Sequence, residues 1–169
     1  MSARTQAQEV LKRLPPGPVV GAEVGVFRGL MSKALLERPD LTLYMVDSWL
    51  PLPMYRIDED DQESNFLMAK RHAGGRGIVL HMDSLEAASS FPDGVLDFVF
   101  IDADHSYAGV CKDIVAWLPK LKIGGLLSGH DYNNPGERLG KDVKRAVDDC
   151  AKRFGFSVEL GEDSTWFRA

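Results

Sequence analysis

Apolar positions along this chain follow two alternating rhythms. Short dense runs such as LTLYMV, IVLHM and VLDFVFIDA are separated by stretches in which apolar residues recur every three or four positions. The first rhythm belongs to strands buried in a sheet, the second to helices that turn one face to a core. An opening helix over 5–14 carries Val10, Leu11 and Leu14 on one face and stops at Pro15-Pro16-Gly17-Pro18. A strand over 19–25, a helix over 29–38 and a strand over 41–46 that ends at Asp47 follow. Residues 50–65, with their prolines and acids, read as a loop, and a helix over 63–73 ends at Gly74-Gly75.

The alternation then repeats. A strand over 78–82 ends at Asp83 and leads to a short helix reaching Ser90; the strand over 95–103 is the most apolar of the chain. Val110, Ile114, Val115 and Leu118 mark the next helix, and a fifth strand begins in Gly124–Ser128. The helix over 140–153 carries Val143, Ala146, Val147 and Cys150 on one face, and short strands over 156–161 and 164–168 close the chain. Such alternation implies an α/β protein, a doubly wound, mostly parallel sheet with helices on both faces and an antiparallel hairpin at one edge. The organisation expected is a single domain over 1–169, with 1–18 as an N-terminal helix and proline-rich turn and 19–169 as the core.

Charge narrows the partners. The net charge is −5 and no Lys/Arg run stands out, so no basic face is expected for nucleic acid. No apolar run approaches the ~20 residues of a membrane span, and MSARTQAQEVLKRL lacks the apolar stretch of a signal peptide. Cys111 and Cys150 lie far apart and read as reduced thiols, which makes a cytoplasmic location the expectation.

The candidate chemistry sits where strands end. Glu23, Asp47, Asp83, Asp102 and Asp131 each fall in or just after the C-terminal part of an expected strand. In a doubly wound sheet those ends share one edge, and ligands bind in the crevice outside it. Converging carboxylates suit a guest bearing positive charge and hydroxyl groups, although Asp after a strand is also a common helix cap and Asp83 suits either use. The turn GAEVGVFRGL places glycines at 21, 25 and 29, not in the G-x-G-x-x-G spacing of a dinucleotide site, and Glu23 would repel a pyrophosphate. S-adenosylmethionine carries an ammonium, a sulfonium and no phosphate, and fits better. Gly25 would admit its methionine end, Asp47 its ribose hydroxyls, and Asp83 with Ser84 its adenine edge. Phe27, Gly29, Ser48, Trp49 and Asp102 complete the cofactor-binding candidates; Trp49 suits adenine, the substrate entrance or plain packing.

The runs EVGVFRG, MVDSW, HMDS, FVFIDADHSYAGV, GGLLSGHDY and GKDVKRAVDD together resemble the class I S-adenosylmethionine-dependent methyltransferases. More narrowly, they resemble the branch of macrocin-type O-methyltransferases and cephalosporin-hydroxylase-like proteins. The resemblance runs from about residue 19 to the C-terminus. It implies a Rossmann-like seven-stranded sheet of order 3-2-1-4-5-7-6, with the cofactor on Glu23, Gly25, Asp47, Asp83 and Ser84.

Asp102, Asp104, His105 and Tyr107 crowd the end of the fourth strand, and His130, Asp131 and Tyr132 that of the fifth. Asp102, Asp131 and His130 are candidate ligands of Mg²⁺ or another divalent metal, with a metal-free site equally open. His105 is the first candidate catalytic base and His130 the second. The expected reaction is methylation of a hydroxyl on a small molecule, and the alternative is a cofactor-binding accessory module without turnover. A metal-assisted hydrolase would leave Asp47 and Asp83 unused. The loop over 50–65 suits a lid with Met54, Tyr55 and Phe66 as its apolar inner face and a solvated acidic surface. His72 and His81 receive no role, Trp117 and Trp166 read as core, and the sequence leaves a homodimer open.

Overall fold

The computed structural model describes residues 3–53, 56–134 and 140–169. Met54 and Tyr55, two of the expected lid residues, lie outside the described residues. The elements follow in the order α1 (Ala3–Leu11), β1 (Val19–Val24), α2 (Leu30–Leu35), β2 (Leu41–Asp47), α3 (Glu59–Ala73), β3 (Gly77–His81) and α4 (Ser84–Ser89). After these come β4 (Leu96–Ile101), α5 (Tyr107–Trp117), β5 (Leu121–Gly129), α6 (Gly140–Phe154), β6 (Val158–Leu160) and β7 (Trp166–Arg168).

The strands form one seven-stranded sheet of order β3-β2-β1-β4-β5-β7-β6, as the resemblance implied. Strands β1 to β5 pair in parallel, while β7 runs antiparallel to both β5 and β6. The period of two explains why the central strands read as unbroken apolar runs: each face has its own core. Leu41, Leu43, Met45, Phe98 and Phe100 pack on one side with Ala7, Val10, Leu35 and Ala69 of α1, α2 and α3. Val24, Val46, Val99 and Ile101 point the other way, against Ala87, Ile114, Trp117, Val143 and Val147 of α4, α5 and α6. Trp117 and Trp166 are core residues, and Cys111 and Cys150 are free thiols, as the sequence suggested.

Two boundaries are corrected. The expected loop over 50–65 is helical from Glu59, because Asp58 caps α3. The Asp58 carboxylate accepts the Asp61 N–H and the Asp61 carboxylate accepts the Asp58 N–H, a reciprocal capping box. Glu59, Asp60 and Asp61 lie in the first turn, where the partial positive charge of the helix end favours acids. Their sequence signature is that of a helix start, and the lid reading shrinks to residues 50–58. The fifth strand also begins earlier than the glycine pair suggested, at Leu121.

Candidate active site

Parallel pairing brings the ends of β1, β2, β4 and β5 to one edge. Gly25, one residue beyond β1, has φ 91°, and a Cβ there would lie 2.1 Å from the Asp102 carbonyl oxygen. Only glycine permits both, so the turn and the end of β4 are packed backbone to backbone. Gly29 serves packing too: at φ 70° it precedes α2, and its Cβ would sit 3.0 Å from the Cα of Ala69 in α3.

Asp47 shapes this turn. Its Oδ2 accepts the N–H groups of Val26 and Phe27 at 2.9 and 2.8 Å, and its Oδ1 accepts that of Trp49 at 2.9 Å. The carboxylate expected for ribose is thus first a clamp between the turn after β1 and the end of β2. Ionised carboxylates offer about four acceptor sites, so room for a ligand hydroxyl is left. Phe27 (φ 52°), Trp49 (φ 43°) and Asp131 (φ 59°) all hold left-handed backbone, which costs a non-glycine residue of order 1 kcal/mol or more and clusters at functional edges.

Glu23 lies 2 % exposed at the sheet edge and accepts the Ser32 hydroxyl at 2.5 Å. Burial pushes its carboxyl up to about 8; the Ser32 bond opposes that, and the charges of Asp102 and Asp47 reinforce it. A carboxyl raised in this way makes the crevice less negative than five free carboxylates would. Trp49 is buried, and its indole N–H donates to the Phe27 carbonyl at 2.8 Å. Its ring packs on Phe66 and His81 and lines, with Leu50, Pro51, Glu59, Gln62 and Glu63, a cavity of about 410 Å³. His81, given no role from the sequence, is thus a wall of that cavity and also bonds the Ser48 carbonyl.

At the end of β3 the structure favours the capping use of Asp83. Its Oδ1 accepts the N–H groups of Leu85 and Glu86 at the start of α4. Ser84 turns inward, donating to Asp113 Oδ1 at 2.5 Å and accepting the Trp117 indole N–H at 2.9 Å. In the ligand-free protein its hydroxyl is thus engaged on both sides within the fold. Asp113 was missed. The signal available was an acid on the buried stripe of a helix, beside Val110, Ile114 and Trp117.

The densest chemistry lies between β4 and β5. His105 has Nε2 at 3.3 Å from Asp102 and Nδ1 at 3.2 Å from Asp131. Nδ1 of His130 lies 3.0 Å from Asp131 and 3.6 Å from Asp102. Burial disfavours charge on His130, but its bonds to Asp102 and Asp131 outweigh this and push its pKa up to about 10. Both histidines contact the same two carboxylates, so His130 stays a candidate beside His105. Nε2 of His130 is buried without a hydrogen-bond partner among the described residues, the kind of atom a ligand satisfies. Asp131 is held in turn by the Asn134 amide at 2.7 Å, a partner not expected from the sequence. Tyr107 and Tyr132 leave the cluster, donating to Asp149 and Asp148 of α6, and Asp104 accepts the hydroxyl and N–H of Ser106.

Ligand atoms of Asp102, His105 and Asp131 come within 4.8 Å of one another. This set fits a divalent cation that takes oxygen and imidazole ligands. The group shares Asp102 and Asp131 with the set expected from the sequence and adds His105, while His130 Nδ1 lies 3.0 Å from Asp131.

Comparisons with known proteins bear on the family and the fold. A family model described as a methyltransferase domain matches residues 22–132, and the chain belongs to that family. It is an S-adenosylmethionine-dependent methyltransferase. No curated protein matches the chain in sequence. Among solved structures it is similar to the calicheamicin methyltransferase CalS11, at 13% identity and TM-score 0.70 over 98% of this chain and 77% of that one. The apo form of CalS11 is described as a TDP-rhamnose 3′-O-methyltransferase. A S-adenosylmethionine-dependent methyltransferase from Aquifex aeolicus aligns at 15% identity and TM-score 0.65, over 98% and 89% of the two chains. Spermidine synthase from Thermotoga maritima aligns at 16% and 0.64 over 98% of this chain but 58% of its own. At such identities these likenesses establish the fold. No described helix is long and apolar enough to cross a membrane.

Proposed function

We propose that this methyltransferase acts on a hydroxyl oxygen of a small molecule, with His105 taking the proton. The observation that carries the reading is the His105 ring set between Asp102 and Asp131, at the ends of adjacent strands and beside the Gly25 turn. Neutral hydroxyls are poor nucleophiles, so removing the proton is the step a residue can accelerate, typically by ~10²–10⁴-fold. Asp102 and Asp131 orient the imidazole and stabilise the cation that forms on it.

The cofactor would lie along the crevice with Glu23 and Gly25 at its methionine end, Asp47 at the ribose, and Asp83 with the backbone of its turn at the adenine. When bound it supplies an electrophilic methyl group. Gly25 lets the turn approach closely, and Asp47 holds that turn in place. The alternative use of the same cluster is a divalent cation on Asp102, His105 and Asp131, which would polarise a bound oxygen and lower its pKa, with His105 then a ligand and not the base.

The test incubates the protein and S-adenosylmethionine with sugars, phenols and hydroxy acids, detecting methylated product by mass. His105→Asn should lower turnover by ~10²-fold or more while leaving affinity for S-adenosylhomocysteine within a few fold. Chelation separates two roles of His105: turnover lost on chelation, with metal affinity lost in His105→Asn, makes it a ligand, whereas unchanged turnover leaves it the base and removes the metal. Tight cofactor binding with no product from any acceptor class would replace this reading with an accessory module.

A further inference from the structure

We infer that Asp113 is a positioning residue for the cofactor: through Ser84 it fixes the turn between β3 and α4 that borders the nucleoside end of the crevice. The inference rests on the cofactor reading above. Asp113 is 4 % exposed and lies on the face of α5 that otherwise buries Val110, Ile114 and Trp117. An ionisable group there is costly, and a well-packed apolar side chain would stabilise the layer at least as well. What the carboxylate adds is a hydrogen bond to the first residue of α4.

The bond is part of a closed set. Ser84 donates to Asp113 and accepts from Trp117, one turn further along α5, so the Ser84 side chain is held from two positions of a single helix. Asp83, one residue earlier, has Oδ1 occupied by the cap of α4, which leaves Oδ2 for a ligand. Met82 is tied to β2 through its N–H to the Asp47 carbonyl at 3.0 Å. The turn is therefore gripped by α5 on one side and by the Asp47 strand end on the other.

Helix α5 begins two residues after His105, capped by Ser106, whose hydroxyl also donates to Asp104. One rigid helix thus carries the candidate base at its start and the grip on the nucleoside-side turn at its middle. Burial pushes the Asp113 carboxyl up to about 6; the Ser84 bond resists this, the charges of Asp104 and Asp83 add to it, and Lys112 opposes it. The grip does not depend on ionisation, since a protonated carboxyl still accepts through its carbonyl oxygen.

Calorimetry with S-adenosylhomocysteine and with adenosine tests the proposal on the full chain. Asp113→Ala and Ser84→Ala should each weaken both ligands by about tenfold, at temperatures where melting curves show the variants folded. The double variant should be no weaker than either single one, because both remove the same interaction. Asp113→Asn, whose amide oxygen still accepts the Ser84 hydroxyl, should restore affinity to within about threefold, whereas Asp113→Leu, which fills the site without an acceptor, should not. If Asp113→Ala does not fold, Ser84→Ala and Asp113→Asn decide. Wild-type binding with undiminished affinity in Asp113→Ala overturns the inference and leaves the cofactor reading intact. Loss in Ser84→Ala alone overturns it in favour of a direct hydroxyl contact. No binding by the wild-type protein at millimolar ligand removes the cofactor reading itself.

Discussion

Asp47 and Gly25 are the two residues whose chemistry most constrains the crevice. Asn at position 47 keeps the shape but exchanges one acceptor oxygen for a donor, opposite the N–H groups of Val26 and Phe27 or that of Trp49. We expect Asp47→Asn to cost about 1–3 kcal/mol of stability and to weaken S-adenosylhomocysteine binding as well. Urea unfolding and calorimetry read the two effects; unchanged values in both would remove Asp47 from its place as clamp. Gly25→Ala drives a methyl to 2.1 Å from the Asp102 carbonyl at φ 91°, so it should lower the melting temperature and the yield of folded protein. A normally stable Gly25→Ala protein would mean that the two backbones are not in contact.

At the scale of elements, the start of α3 is the feature the acidic run 58–61 encodes. Removing the Asp58 side chain deletes one half of the capping box and leaves the Asp61 N–H unsatisfied. Asp58→Ala should cost about 1 kcal/mol in urea unfolding, whereas Asp60→Ala, with the residue exposed in the first turn, should cost less than half of that. Equal effects would make the acids a generic charge contribution. The same element explains why the lid reading shrank: a cap, a first turn and an apolar contact at Phe66 bring the helix to the edge of the cavity.

Over the whole molecule, buried ionisable groups tie stability to pH. The folded pKa of Glu23, about 8, lies above its ordinary value of 4.5, so the native state binds a proton that the unfolded chain has already released. Its contribution is complete below about pH 4.5 and declines by about 1.4 kcal/mol per pH unit until about pH 8. His130, raised from 6.5 to about 10, acts in the same direction: its contribution is present below pH 6.5 and fades above it. The ligand-free protein should therefore lose stability steadily as pH rises from 5 to 8. Glu23→Gln should flatten the lower part of that slope, measured by urea unfolding at fixed ionic strength. A wild-type profile that is level across this range would show that Glu23 is ionised in the fold.

Local pattern alone determined much of this protein. Strand and helix periods gave the alternation, the closing apolar pairs gave the hairpin, and Asp or Glu near the strand ends marked the edge where the site lies. Those features are legible because periodicity and chain order set which face is buried and which ends converge. Partner choice was not legible in the same way. Asp47 grips backbone amides, Ser84 faces Asp113, both tyrosines turn to α6, and His105 lies between Asp102 and Asp131. Each of those contacts depends on rotamers and on elements far apart in the chain, and the packed fold alone decides which acids are caps, which are neutral and which are charged.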